Sequence, residues 1–170
     1  MDGDPTNHPD LERFCQREFP HLVGLLGLYC GDRSTAEDLA QETLARVWQR
    51  WERVSRLDAP ELWARRVALN LANSWFRRRA AAGRAVARLA GQLHPGVVMV
   101  GTADVDLQSV LAGLAPRQRA VLVLRFYEDL SVSDTARAMR CREGAVKALT
   151  AQGLDALRRR GIVPRGVTDE

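Results

Sequence analysis

Lysine is almost absent from this chain of 170 residues: of its 25 basic residues, 24 are arginine and only Lys147 is lysine. That bias suits bidentate contact with phosphate or base edges, and a GC-rich genome explains it equally well. Acid is missing from Leu62 to Ala103, where seven arginines stand, including the run Arg77, Arg78 and Arg79. Such a segment suits polyphosphate. The three cysteines, Cys15, Cys30 and Cys141, are odd in number, far apart and without CxxC spacing. They support neither a disulfide framework nor a zinc site, and are read as buried or incidental thiols. Histidine is equally scarce, with His8, His21 and His94 expected in a tail, a helix and a linker. No carboxylate pair, no Ser or Cys with a nearby base and no phosphate-binding glycine loop is present, so an enzyme, a metal or a cofactor is not expected. Apolar runs fall well short of the roughly 20 residues that span a bilayer. The start MDGDPTNHPD has no basic region or apolar core for export, which excludes a membrane partner and points to the cytoplasm.

Hydrophobic residues make up 46% of the chain and mean hydropathy is -0.24, enough for one good core or two small ones. The middle decides between these. From Ala80 to Thr102 the sequence turns to Ala, Gly and Val, with Gly83, Gly91, Pro95, Gly96 and Gly101 interrupting any periodicity. The expected architecture is therefore all-α: two small helical domains, 10–80 and 107–163, joined by a flexible linker, 81–106. A disordered stretch, 1–9, precedes them and a tail, 164–170, follows, leaving no room for an appended C-terminal regulatory domain.

Met1 to Glu61 reverses the charge, with twelve acids against seven arginines. A first helix is expected over about Leu11 to Tyr29, with an inner face of Leu11, Phe14, Cys15, Leu22, Leu25, Leu26 and Tyr29 and an irregularity at Pro20. In the next, Ala36, Leu39, Ala40, Thr43, Leu44, Val47, Trp48 and Trp51 form one stripe, started by a Ser34/Glu37 capping box. Its outer face carries Glu37, Asp38, Gln41 and Glu42. Acids in a first turn complement the helix dipole, but that leaves Gln41 and Glu42 unexplained, so a docking surface is the competing reading.

The arginine-rich segment is itself a helix, with Asp58 as cap, Pro60 in its first turn and Glu61 at the third position. At 100° per residue, Trp63, Val67, Leu71 and Trp75 share one side and Leu62, Leu69 and Phe76 another. Between them runs a ribbon of Arg66, Asn70, Asn73 and Arg77. Arginine alone suggests phosphate contact; asparagine between arginines adds donors and acceptors for base edges, and nearby aromatics can stack on unpaired bases. In the last block, Leu114 to Tyr127 reads as an amphipathic helix with Pro116 near its start and Val121, Leu122 and Leu124 inward. Ser131 or Ser133 caps a short helix to Met139, a turn spans Arg140 to Arg142, and a last helix covers about Glu143 to Arg160. Ala136 at the inter-helix contact and Val146 in the core complete a helix-turn-helix.

The run AEDLAQETLARVWQRW, followed by PELWARRVALNLANSWFRRR, resembles the second conserved region of the extracytoplasmic-function sigma factors of bacterial RNA polymerase, in their high-GC Gram-positive form. LSVSDTARAMRCREGAVKAL resembles the fourth region of the same family. The resemblance implies a sigma factor that binds core polymerase, recognises -35 duplex and melted -10 DNA, and promotes initiation. It assigns Asp38, Gln41, Glu42 and Arg46 to the β-prime clamp helices, giving the acidic face a partner, and the last domain to the β flap. It assigns Arg56, Asp58, Arg66, Asn70, Asn73, Arg77 and Arg78 to the -10 element, the loop Arg56 to Ala59 being the pocket for a flipped base. The -35 contacts fall on Arg142, Glu143, Lys147, Thr150 and Gln152, and the linker threads toward the RNA exit path. Many members of the family are held by an anti-sigma factor, which nothing in this sequence identifies. Departures concentrate in the last block: Ala148, Leu149 and Gln152 make the recognition helix less basic than usual, and Arg140 stands where Gly is common. A left-handed conformation would cost Arg roughly 1 kcal/mol more than Gly, so a differently shaped turn is expected. Ser74 replaces a frequent Asp. The competing function is a helix-turn-helix regulator acting without polymerase, which leaves the Arg/Asn ribbon and the acidic face unexplained.

Overall fold

The computed structural model describes residues 9–90 and 105–160. The expectations for the N-terminal stretch with His8, for 91–104 with His94 and for the C-terminal tail lie outside them. Among the described residues every regular element is helical.

The N-terminal unit is built from α1 (Pro9–Cys30), α2 (Arg33–Trp48), the single turn α3 (Trp51–Val54) and α4 (Pro60–Ala90). Helix α1 passes through Pro20 and buries Leu11, Phe14, Leu22, Leu25, Leu26 and Tyr29. Its inner face also takes in Glu18, an acid that periodicity alone would place in water, and leaves Cys15 only half-buried. The chain reverses at Gly31, whose φ of 75° is left-handed, and re-enters helix at Arg33. Asp32, not Ser34, is the cap: its carboxylate accepts the Thr35 N–H at 2.7 Å, which also holds its pKa below the usual carboxylate range. Helix α2 buries Ala36, Leu39, Ala40, Thr43 and Val47, as the stripe predicts, but Trp48 ends the helix and is 55% exposed. Trp51 lies beyond the break, on α3, with its ring 5.3 Å from that of Phe14.

Helix α4 packs across α1 and α2. It begins at Pro60, so Ala59 rather than Asp58 holds the flanking position. Ala64, Ala68 and Ala72, spaced four apart and completely buried, form its contact seam beside Leu62, Leu69 and Leu71. Trp63, Val67, Trp75 and Phe76 are half-buried at its margins. The helix runs on through Gly83 to Ala90, into the segment expected as linker. One glycine costs a helix only about 1 kcal/mol, and the alanines around it favour the helical state.

The C-terminal unit holds α5 (Val105–Ala112), α6 (Pro116–Leu122), a π-helical turn (Val123–Tyr127), α7 (Val132–Met139) and α8 (Glu143–Arg158). The expected helix from Leu114 is thus α6 plus the π turn, and α5, which starts two residues inside the expected linker, precedes it. Pro116 opens α6, where its missing N–H is no loss, and the Ala115 N–H donates to Gln118 Oε1 at 3.3 Å. Val121, Leu124 and Val146 are completely buried where α6 and α7 pack on α8. Ser131 caps α7, its Oγ accepting the Asp134 N–H at 2.9 Å. The turn keeps the ordinary left-handed shape despite its residue, with Arg140 at φ 50°, ψ 51°. The Cys141 N–H closes it on the Ala136 carbonyl at 3.0 Å.

Candidate nucleic-acid and polymerase interface

The stripe on α4 is regular. From Arg66, the positions of Asn70, Asn73 and Arg77 advance by four, three and four residues, keeping all four within about 60° around the axis. Asn70, Asn73 and Arg77 are exposed and Arg66 is half-buried. Asn73 is set by its neighbour below: the Tyr29 hydroxyl donates to Asn73 Oδ1 at 2.7 Å. Burial first of all raises the Tyr29 pKa to about 12, so the phenol keeps its proton at neutral pH. The carbonyl of Asn73 is thereby engaged, and its amide N–H groups face outward. The stripe offers guanidinium and amide donors over three turns of one rigid helix, with Arg78 beside it donating to Ser74 Oγ at 3.2 Å. Arg79 lies over the Trp75 ring, 5.2 Å from its centroid. Arg56 and Asp58, in the loop before α4, are exposed and stand apart from the stripe.

A second exposed set lies on α2. Asp38, Gln41, Glu42 and Arg46 all face solvent, with Arg46 donating to Glu42 at 2.6 Å. Asp38 and Gln41 therefore remain without a partner from this pair, and Trp48 stands exposed one turn beyond Ala45 and two beyond Gln41 toward the C-terminus. On α8, Glu143, Lys147 and Thr150 share a face, because they are spaced by four and three residues. Arg142 precedes them at the cap position, exposed. Thr150 is partly occupied, its hydroxyl donating to the Val146 carbonyl at 2.8 Å. Gln152 is exposed but lies half a turn around from Glu143, so the structure does not bring it together with the other four.

Sequence reasoning missed Arg65. Its side chain is 8% exposed and lies between Glu18 Oε2 at 2.8 Å and Glu128 Oε2 at 2.6 Å. Burial pulls its pKa down, but the two carboxylates outweigh that and hold it above the ordinary value. Arg119 is likewise buried, donating to the Tyr29 carbonyl at 2.7 Å and over the Tyr29 and Phe76 rings. Its pKa is lowered, first by burial. The signal for Arg65 was present in the sequence as Glu18, an acid in phase with an otherwise apolar face. Burial raises the Cys15 thiol and pushes Cys30 up to about 12, which makes these two poor nucleophiles. Among the described residues no His, Cys, Asp and Glu cluster could hold a metal, and no helix is long and apolar enough to cross a membrane.

The site thus combines two helical units, one with an Arg/Asn stripe and an acidic face and the other with a helix-turn-helix. Residues 8–82 match the family model for sigma-70 region 2, and residues 110–159 that for sigma-70 region 4. The chain is 33% identical to the RNA polymerase sigma-E factor of Streptomyces coelicolor over 75% of its own length and 72% of the relative's. It is 29% identical to the ECF RNA polymerase sigma factor SigX of Bacillus subtilis, over 75% and 71%. The fold is that of the sigma factor RpoE of Bartonella quintana, solved in complex with the anti-sigma factor NepR. That match has a TM-score of 0.74 at 23% identity, covering 89% of this chain and 96% of that one. The chain belongs to the extracytoplasmic-function sigma factors of bacterial RNA polymerase.

Proposed function

We propose that this protein carries core RNA polymerase to its promoters by dividing the work among three faces. Helix α2 docks on the polymerase through Asp38, Gln41, Glu42 and Arg46, with the clamp helices of β-prime as the partner surface. Helix α4 holds the -10 element as it melts: Arg66 and Arg77 neutralise phosphates, Asn70 and Asn73 meet base edges, and Arg78 extends the cationic track. The exposed loop of Arg56 and Asp58 receives an unstacked base, and capture of unpaired bases pulls the melting equilibrium without ATP. Helix α8 enters the major groove at -35 through Arg142, Glu143, Lys147 and Thr150, with Gln152 at most on the flank. The C-terminal unit meets the β flap, and an anti-sigma factor is the further partner that this assignment accommodates. The protein itself supplies no catalytic group and works in the cytoplasm, where polymerase and promoter are.

The observation that carries the reading is the stripe, because it sets two amides between two guanidiniums on a helix whose opposite side is locked by alanines. A purely phosphate-binding helix needs no asparagine. Run-off transcription tests it: core polymerase plus this protein should start discrete transcripts on linear DNA bearing promoters of its own genome. Absence of every such transcript, together with failure to comigrate with core polymerase, overturns the assignment; a regulator acting alone would instead shift duplex DNA without polymerase.

A further inference from the structure

We propose that Tyr29 is a positioning residue for base readout: from beneath the stripe it makes Asn73 a donor only, so that Asn73 selects a keto base, guanine or thymine, while Asn70 beside it is left to read adenine. The inference rests on the stripe meeting the -10 element. Tyr29 lies near the C-terminal end of α1 and is 1% exposed. Its ring stands edge-on to that of Phe76 with centroids 5.9 Å apart, and Phe76 is three residues on from Asn73 along the same helix. The hydroxyl therefore arrives under Asn73 at a fixed place. It has one hydrogen and two acceptors in reach, Asn73 Oδ1 at 2.7 Å and the Pro116 carbonyl at 3.4 Å, and the shorter bond takes it. Turning the amide over would leave that buried hydrogen to the longer bond. Because burial keeps the phenol protonated at neutral pH, Tyr29 remains a donor.

With Oδ1 engaged, Asn73 offers Nδ2 and its hydrogens to whatever approaches the exposed face. On their major-groove edges guanine presents O6 and N7 and thymine presents O4, all acceptors. Cytosine presents its N4 amino group there, which would set hydrogen against hydrogen. Adenine presents N7 beside its N6 amino group, and the two-point contact that an amide makes with it needs a free carbonyl. Asn73 lacks one. Asn70 has one: it is exposed, and among the described residues no hydrogen bond holds its side chain. The two asparagines stand three residues apart, about 4.5 Å along the axis, near the roughly 3.4 Å between successive bases of a strand. One residue type thus serves two adjacent bases differently, and a single buried hydroxyl makes the difference.

Run-off transcription with holoenzyme tests this on one promoter of the protein's own genome, each -10 position in turn made A, C, G and T. Initiation is compared as ratios between bases, which a uniform loss of activity does not move. At one position wild type should favour guanine or thymine over cytosine roughly tenfold, the lower end for a good base contact. Tyr29→Phe keeps the ring and deletes only the hydroxyl; there it should raise adenine against the keto bases by about tenfold. Asn73→Asp keeps the bond from Tyr29 and turns the outward group into an acceptor, so the preference should pass to cytosine and adenine. Because Asn73 is exposed, this variant decides the matter if Tyr29→Phe does not fold. A wild type without keto preference, ratios unchanged in Tyr29→Phe, or no passage to amino bases in Asn73→Asp would overturn the inference. Failure of the stripe itself shows differently: Asn70→Ala and Asn73→Ala would then initiate like wild type at every base.

Discussion

Helices α4 and α8 each carry a polar face proposed to meet nucleic acid, and the two faces are unequal. On α4, three turns carry two arginines, two asparagines and the flanking Arg78, on a helix pinned from behind by Ala64, Ala68 and Ala72. On α8, the matching face has Arg142 at the cap and Lys147 as its cations, with Glu143 one turn before Lys147 and a Thr150 whose hydroxyl is already engaged. On the proposed reading the first face has enough cation to bind by itself. The second carries less cation, Arg142 and Lys147 against Glu143, and on this reading gains useful affinity when something else holds it in place, so that its contact becomes an intramolecular one. Polymerase therefore matters more to the weaker face, and the C-terminal unit contributes register where the N-terminal unit contributes grip.

The largest expected effect is at Asn70. Asn70→Ala should lower open-complex formation by about tenfold to a hundredfold, the 1–3 kcal/mol of a good base contact, with core affinity unchanged. Lys147→Ala should cost less in the same promoter assay, and equal losses would erase the distinction between the two faces. Next comes the docking face: Gln41→Ala with Glu42→Ala should weaken holoenzyme assembly about tenfold in a titration of core polymerase. Unchanged affinity would return those residues to dipole compensation. A smaller effect appears in salt dependence. Arg77→Gln and Arg78→Gln should each reduce the slope of log K against log salt for a single strand by roughly 0.7, whereas Lys147→Gln should leave single-strand binding alone. The smallest is in the turn before α8. Arg140→Gly should stabilise the C-terminal unit by up to about 1 kcal/mol, read as a higher Tm, because Arg140 holds a left-handed φ of 50°.

The same contrast governs how much was legible in the sequence. Period and pattern placed α1, α2, α4 and the helix-turn-helix, because apolar residues at three- and four-residue spacing leave few other ways to bury them. The stripe was legible for the same reason, since its members repeat at helical spacing. What could not be read depends on tertiary partners. Glu18 and Arg65 are charged residues that only a neighbour from a distant part of the chain makes buriable, and Asn73 owes its orientation to Tyr29. Glycine misled at Gly83, where composition suggested a linker and a run of alanines sustains a helix instead. Asp32 was passed over as a cap because Ser34 and Glu37 offered the more familiar pattern. The π turn at Val123–Tyr127 has no periodic signal of its own.

Where the α4 stripe lies when a promoter is melted decides whether it holds the -10 element. A photoreactive side chain substituted for the exposed Arg77, in holoenzyme bound to promoter DNA, measures this directly. Crosslinking to the nontemplate strand of the -10 element is expected, strong after melting and weak in closed complexes. Crosslinks to upstream duplex alone, or none in a holoenzyme that still transcribes, would contradict it.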